Sequence, residues 1–133
     1  FGEQAVFLDE RMDDPSFTAS AEDMNQLFAD GVRYIAPPMW ALVALDSDNQ
    51  LIESDYAILA KAASLKIITW TLERSGPLEN HGGWYYQSIA EATSTDSDML
   101  ILLDFLAQTV KVEGIFSDWP GTVSYYASCM NLD

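Results

Sequence analysis

Three consecutive charged residues, Asp9-Glu10-Arg11, follow the first apolar run of the chain and carry groups that bind ions in many proteins. The carboxylates of Asp9 and Glu10 are hard oxygen ligands of the kind that Ca²⁺ and Mg²⁺ prefer. The guanidinium of Arg11 has the planar fork that binds a phosphate through two hydrogen bonds. Asp13 and Asp14 follow at once, and such a charged loop is often only solvated. The sequence therefore favours a solvated loop, and it keeps Asp9 and Glu10 as candidate metal ligands and Arg11 as a candidate phosphate-binding residue.

A long segment with glycine and proline, residues 73–84, contains the next candidates. His81 would serve there as a general acid or base, because an imidazole titrates near neutral pH. No partner motif accompanies it, so the sequence favours a solvated loop residue over a catalytic one. Arg74 and the backbone that follows it form a candidate phosphate site, since barrel enzymes often bind phosphate after their last two strands.

Asp118 lies just after the last apolar run, in the segment Ser117-Asp118-Trp119-Pro120. An aspartate in this position often accepts hydrogen bonds from the free N–H groups at the start of a helix. Beside an active site, the same carboxylate would orient a catalytic group or a metal-bound water. The sequence favours neither role over the other, and one side chain is able to serve both.

Four short apolar runs rich in β-forming residues are predicted to be the strands that position these side chains. They cover residues 5–8, 32–35, 65–70 and 112–116. The runs are nearly continuous rather than alternating, which is typical of strands buried on both faces of a parallel sheet. Strands that alternate with helices predict an α/β fold of parallel (β/α) units joined by right-handed crossovers.

Helical patterns occupy the intervals between these runs. Ser20 is predicted to cap the first helix through a capping-box arrangement, and Ser54 to cap the second. A third helix is predicted from about residue 98 to 109, and a fourth after Pro120. On the second helix, three residues are predicted to face the core: Ile58, Leu59 and Ala62.

Two architectures fit this order of elements. One is a small doubly wound sheet, and the other is the second half of an eight-stranded TIM (β/α)8 barrel, in which each βα unit takes about 30 residues of ~250. The segments after the predicted strands are rich in charged and aromatic residues, whereas those before them are short and plain. This asymmetry favours the barrel, because one face of a barrel carries the functional residues. No glycine-rich phosphate loop follows any predicted strand, which weakens a nucleotide-binding doubly wound fold.

Two motifs resemble the last two strands of the glycerophosphodiester phosphodiesterase family. They are Lys66-Ile67-Ile68-Thr69-Trp70-Thr71-Leu72 and Gly114-Ile115-Phe116-Ser117-Asp118-Trp119-Pro120. In that family the seventh strand typically ends in Trp-Thr, and the eighth ends in a Ser/Thr-Asp-x-Pro turn. Residues 32–38 resemble the strand before, and Phe7-Leu8-Asp9 resembles the fifth. The resemblance covers essentially the whole chain, but only the C-terminal half of the family's barrel, so residues 1–133 are predicted to be an incomplete domain.

The resemblance implies an enzyme that depends on a divalent metal, Ca²⁺ or Mg²⁺, and hydrolyses glycerophosphodiesters to glycerol 3-phosphate and an alcohol. Trp70 would be an apolar wall against the glycerol moiety, with a core tryptophan that caps the barrel as the alternative. Arg74 and Asp118 would join it in binding substrate. The family's His-Arg pair, its Glu-x-Asp pair, its second catalytic histidine and its further metal-binding Glu have no counterpart in this sequence. We therefore expect the catalytic residues in the N-terminal half of the barrel, and the chain alone to be inactive.

The net charge of −15 argues against nucleic acid as a partner, because phosphate binding needs clustered Lys and Arg. It also makes a bound cation necessary at the mouth of an enzyme for phosphodiesters. A hydrophobic content of 49% excludes a disordered acidic tail. No run approaches the ~18–20 apolar residues of a membrane span. Cys129 is predicted to be a buried thiol, with a bridge to another chain as the alternative.

Two other functions compete with the enzyme. One is a non-catalytic interaction or scaffold module, because a half barrel leaves two open strand edges that a second copy would cover. The other is a small doubly wound domain that binds an unknown ligand at the carboxyl ends of its strands. We expect an extracellular or periplasmic location.

Overall fold

A computed structural model describes residues 5–132. Its strands are β1 (Val6–Leu8), β2 (Tyr34–Ala36), β3 (Val43–Leu45), β4 (Leu51–Glu53), β5 (Lys66–Trp70) and β6 (Gly114–Phe116). Strands β1, β2, β5 and β6 correspond to the four predicted runs, and they form one sheet in which every pairing is parallel. The predicted α/β fold with four parallel strands is therefore confirmed.

The parallel strands lie side by side in the order in which they occur along the chain, β1-β2-β5-β6. A doubly wound sheet has a point at which this order reverses, and ligands bind at that point. The described sheet has no such reversal. Because every pairing is parallel, all four strands direct their carboxyl ends, and the segments that follow them, to the same edge of the sheet.

The sequence did not indicate strands β3 and β4, which form an antiparallel hairpin between β2 and the second helix. Residues 34–45 form one largely apolar run in the sequence, and this run gives no sign of where β2 ends and β3 begins. Hydrogen bonds stabilise the turn of this hairpin. The carboxylate of Asp46 accepts them from the backbone N–H groups of Asp48 and Gln50 at 2.8 and 2.9 Å. Asn49 has a φ of 58°, a conformation that asparagine tolerates better than most residues.

The helices are α1 (Ala21–Ala29), α2 (Asp55–Ala62), α3 (Asp98–Phe105) and α4 (Pro120–Met130). A π-helical turn, Leu106–Val110, continues α3, and 3₁₀ turns span Arg11–Asp13, Met39–Ala41, Leu78–Asn80 and Gly83–Ala92. Both predicted N-caps are confirmed. The Ser20 hydroxyl oxygen accepts a hydrogen bond from the Asp23 backbone N–H, the Asp23 carboxylate accepts one in return, and Ser54 accepts one from the Ala57 N–H.

The predicted inward face of α2 is wrong. Ile58 and Ala62 are exposed, and Leu59 is only half-buried, whereas Tyr56, Ala57 and Ala60 are buried. The buried side of α2 carries a long-range hydrogen bond, which the Tyr56 hydroxyl donates to the carboxylate of Asp9 at the end of β1. The sequence pattern does not encode this contact.

The two faces of the parallel sheet have different surroundings. Alternate residues of a strand point to opposite faces, and on one face Ile35 and Ile67 are buried in the same core as Met24 of α1 and Ala57 of α2. We call the other side the open face, which carries Val6, Leu8, Tyr34, Ile68, Trp70 and Phe116. On its two edge strands the apolar side chains of Val6, Leu8 and Phe116 are 41%, 52% and 55% exposed. The prediction that all four strands are buried on both faces is therefore wrong for β1 and β6.

Cys129 is an exposed free thiol on α4, so the predicted buried thiol is wrong. Tyr126 is the buried residue of this helix, whereas Cys129 lies in its last turn, where Ser128 and Met130 are exposed as well. No helix among residues 5–132 has the length and apolar character of a membrane-spanning segment.

Candidate functional site

Two side chains at the end of β5, Thr69 and Trp70, join the carboxyl end of β5 to the segment that ends β2. The hydroxyl of Thr69, which is buried, donates a hydrogen bond to the carbonyl oxygen of Pro37 at 2.9 Å. The indole N–H of Trp70 donates to the carbonyl oxygen of Ala36 at 3.0 Å. These bonds fix the Trp70 ring at the end of β5, on the open face.

Four aromatic side chains meet at this edge of the sheet, and we call them the aromatic patch: Trp40, Trp70, Trp84 and Tyr85. Trp84 lies at the centre, with ring centroids 5.6, 6.0 and 5.0 Å from those of Trp40, Trp70 and Tyr85. It stacks on Trp70 and meets the other two edge to face, and it is 45% exposed. Only Trp70 of this patch was predicted as a site residue, although the other three follow predicted strands and lie in aromatic-rich segments.

Glu73 connects the segments that follow β5 and β6, and the sequence did not single it out. Its carboxylate accepts a hydrogen bond from the Thr71 hydroxyl at 3.1 Å and another from the Ser117 hydroxyl at 2.6 Å. The side chain is half-buried. In the part of the chain that the structure describes, no Lys or Arg forms an ion pair with it.

Arg74 and Asp118, two of the three predicted substrate-binding residues, bind each other. The Arg74 Nε and Nη2 atoms donate to the two carboxylate oxygens of Asp118 at 2.7 and 3.2 Å. Asp118, and after it Tyr85, raises the pKa of Arg74 above its ordinary value. Asp118 does not cap the last helix, whose N-cap residue is Trp119 and which has no side-chain cap hydrogen bond. Through Tyr85, which contacts Trp70, this ion pair adjoins the aromatic patch.

Asp9 is fully buried and accepts four hydrogen bonds. Arg11 donates to it from Nε, Nη2 and the backbone N–H at 2.8, 2.7 and 3.2 Å, and the Tyr56 hydroxyl donates at 2.6 Å. Burial alone would raise the pKa of the Asp9 carboxyl, but the bonds from Arg11 and Tyr56 outweigh it, so this pKa lies below its ordinary value. Burial and the Asp9 carboxylate together raise the pKa of Tyr56 far above its ordinary value.

These hydrogen bonds occupy one of the two predicted metal ligands, Asp9 and Glu10. The oxygens of Asp9 already serve Arg11 and Tyr56, and Glu10 is exposed beside them. Among residues 5–132 no cluster of three or more His, Cys, Asp or Glu side chains is arranged to hold a metal ion. The described residues therefore do not form a Ca²⁺ or Mg²⁺ site by themselves. Arg11 is likewise engaged by Asp9, so its fork is not directed at a phosphate.

His81 is bound to the backbone of its own segment. Its Nδ1 atom lies 2.8 Å from the carbonyl oxygen of Ala90 and 2.9 Å from that of Thr93. Since carbonyl oxygens only accept hydrogen bonds, this contact requires the proton on Nδ1. His81 is exposed in a turn, as the solvated loop residue would be, and its ring also joins the backbone of the segment that carries Trp84.

Comparison with known proteins gives one relative and no family. No family model matches the chain. A protein of Arthroderma benhamiae described as "Extracellular protein" is 49% identical to this chain over 136 residues. The alignment covers 99% of the chain but 56% of that protein, so the chain spans little more than half the length of this curated relative.

Proposed function

We propose that residues 1–133 are the C-terminal half of a TIM (β/α)8 barrel, and that the complete, extracellular barrel hydrolyses glycerophosphodiesters to glycerol 3-phosphate and an alcohol. The observation that carries the proposal is the parallel sheet, with strands in chain order, helices against one face and apolar side chains on the other. The extracellular location follows the description of the Arthroderma benhamiae relative.

The exposed apolar side chains of the open face support the proposal that another half of the barrel covers it. In a barrel the inward side chains of all strands fill a packed interior, and burial of apolar surface contributes about 25 cal/mol per Å². Val6, Leu8 and Phe116 stay substantially in water on the described sheet. Four further strands would pair with the free edges of β1 and β6 and cover these side chains.

The size of the relative supports the same proposal. Its 136 matched residues are 56% of its length, so the whole protein has about 240 residues. A complete barrel takes roughly 250 residues, which leaves room in the relative for about four more βα units.

The residues at the carboxyl edge support the activity. Trp70, Arg74 and Asp118 belong to, or adjoin, the two motifs that resemble glycerophosphodiester phosphodiesterases, and they form one connected surface. Asp118 takes two of the five N–H donors of the Arg74 guanidinium, so other donors remain for a phosphate. In this proposal Trp70 walls the glycerol moiety, Arg74 binds the phosphate and Asp118 positions Arg74. A divalent metal, Ca²⁺ or Mg²⁺, belongs to the proposal only with ligands from the other half of the barrel.

A non-catalytic module that pairs with a second copy is the second candidate. The same open face and the free edges of β1 and β6 favour it, because two half barrels would bury each other's apolar residues. The two candidates differ in what covers the open face and in whether any substrate is hydrolysed.

The activity is tested by release of glycerol 3-phosphate from glycerophosphocholine, with Ca²⁺ or Mg²⁺, by the longer protein and by the 133-residue chain. We expect hydrolysis by the longer protein only, and its loss on chelation of the metal. Arg74→Ala is expected to lower kcat/KM by about 10- to 100-fold, because a hydrogen bond to a charged group contributes roughly 1.5–3 kcal/mol. Lys111→Ala, at the amino end of β6, is the control and should change little. A longer protein that is inactive with both metals would refute the proposed activity.

A further inference from the structure

Two neighbouring side-chain contacts join the segment that follows β5 to the segment that follows β6. In the first, the Ser117 hydroxyl donates a hydrogen bond to the Glu73 carboxylate at 2.6 Å. One residue further along each segment, Arg74 donates to both carboxylate oxygens of Asp118, at 2.7 and 3.2 Å. Because the members of the two contacts are adjacent in the sequence, a movement at one contact displaces the backbone that carries the other.

The two contacts differ in their exposure to solvent. The side chains of Arg74 and Asp118 are 65% and 40% exposed, and an exposed ion pair holds two mobile side chains in one geometry only weakly. Glu73 and Ser117 are half-buried, and a hydrogen bond to an ionised carboxylate is stronger than one between neutral groups. The Glu73–Ser117 contact is therefore better able to fix the distance between the two segments than the Arg74–Asp118 ion pair is.

Further hydrogen bonds hold the Glu73–Ser117 contact in place. The second carboxylate oxygen of Glu73 accepts a hydrogen bond at 3.1 Å from the hydroxyl of Thr71, a buried residue directly after β5. The Ser117 hydroxyl oxygen accepts one at 3.1 Å from the backbone N–H of Trp119, which is the N-cap residue of α4. A connected set of bonds thus runs from the end of β5, through Glu73 and Ser117, to the start of α4.

We propose that Glu73 is a positioning residue for Arg74, and that it acts through Ser117 to hold the Arg74–Asp118 ion pair at the carboxyl edge of the sheet. The inference rests on the proposed function, in which Arg74 binds the phosphate of the substrate. The Glu73 carboxylate repels a phosphate, because both are anions, so its contribution to the reaction is the placement of the guanidinium. Loss of this carboxylate is expected to release the guanidinium into solvent without removing its charge.

The first test follows the Arg74 guanidinium in the longer protein without any substrate. Its Nε–H signal in a ¹H–¹⁵N NMR spectrum is identified by its absence from the spectrum of Arg74→Lys. We expect Glu73→Ala to raise the rate at which this proton exchanges with water by at least about fivefold, because its hydrogen bond to Asp118 is lost. Ser117→Ala should have the same effect, whereas Ser117→Thr, which retains the hydroxyl, should not. Unchanged exchange in both alanine variants overturns the proposal.

The second test is a double-mutant cycle on the release of glycerol 3-phosphate from glycerophosphocholine by the longer protein. If Glu73 acts through Arg74, Glu73→Ala should lower kcat/KM by about tenfold when Arg74 is present, but by less than about twofold in Arg74→Ala. Glu79→Ala removes an exposed carboxylate from the same segment and is the matched control, which should change kcat/KM little. Equal losses in the two backgrounds would overturn the proposal. If nothing is hydrolysed but Glu73→Ala speeds exchange of the Arg74 proton, the proposed activity fails and the placement of Arg74 by Glu73 stands.

Discussion

Replacement of Asp9 by alanine is expected to lower the free energy of unfolding by about 2–3 kcal/mol, because it leaves a buried hydroxyl and a partly buried guanidinium without their acceptor. The carboxylate is fully buried, and its removal leaves the Arg11 guanidinium and the Tyr56 hydroxyl without their acceptor. It also releases the contact that joins the end of β1 to α2. Urea unfolding of the chain, followed by far-UV circular dichroism, measures the change.

Asp13→Ala is the matched control for this prediction. Asp13 is an exposed aspartate in the same segment, so its replacement should change the free energy of unfolding by less than about 0.5 kcal/mol. If both variants lost the same small amount of stability, the Asp9 network would not hold the fold together.

The Asp9 network also predicts a pH dependence. The pKa of Asp9 lies below its ordinary value of 3.8, so the unfolded chain binds this proton more readily than the folded chain does. The stabilising contribution is therefore complete above about pH 4 and is lost as the pH falls through the folded-state pKa. Asp9→Asn should flatten the acid limb of the stability profile, and an unchanged slope below pH 4 would contradict this assignment.

Replacement of Phe116 by lysine is expected to lower the stability of the longer protein and to weaken self-association of the isolated chain. In a closed barrel this side chain points to the packed interior, where an unpaired charge costs several kcal/mol, so the longer protein should lose at least about 3 kcal/mol of stability. In the isolated chain the same side chain is half in water. There the lysine should reduce self-association, because it removes an exposed aromatic ring from an edge strand.

Ile101→Lys provides the comparison. Ile101 lies on α3 and is 56% exposed, against 55% for Phe116, so the two residues present similar fractions of apolar surface. We expect Ile101→Lys to leave the melting temperature of the longer protein within about 2 °C, as for surface changes in general. Equal effects of the two substitutions would mean that the open face has no partner in the longer protein.

Features encoded within a few residues could be predicted from the sequence. Continuous apolar runs identified the four parallel strands, and a serine followed by an acidic side chain identified the start of α1. These signals depend on local periodicity and on hydrogen bonds between near neighbours. They also identified the segments at the carboxyl edge, because long polar and aromatic loops stand out from short plain ones.

Contacts between distant residues could not be predicted. Asp9 and Tyr56 are 47 positions apart, and Arg74 and Asp118 are 44 apart, so nothing in either neighbourhood indicated the pairing. The first contact lies on the side of α2 that was predicted to face outward, and it engages a predicted metal ligand. The second joined two residues that had been assigned to substrate separately. Trp84 was missed as a site residue for the same reason, since its contacts with Trp40 and Trp70 exist only after folding.

The most direct test of the central claim is co-expression of the 133-residue chain with the remaining half of the longer protein as a separate polypeptide. We predict that the two halves copurify in a 1:1 ratio and that the complex, but neither half alone, releases glycerol 3-phosphate from glycerophosphocholine. Light scattering and the assay for glycerol 3-phosphate measure both results on the same sample. A 133-residue chain that remains a compact monomer, binds no second half and gains no activity would contradict the claim.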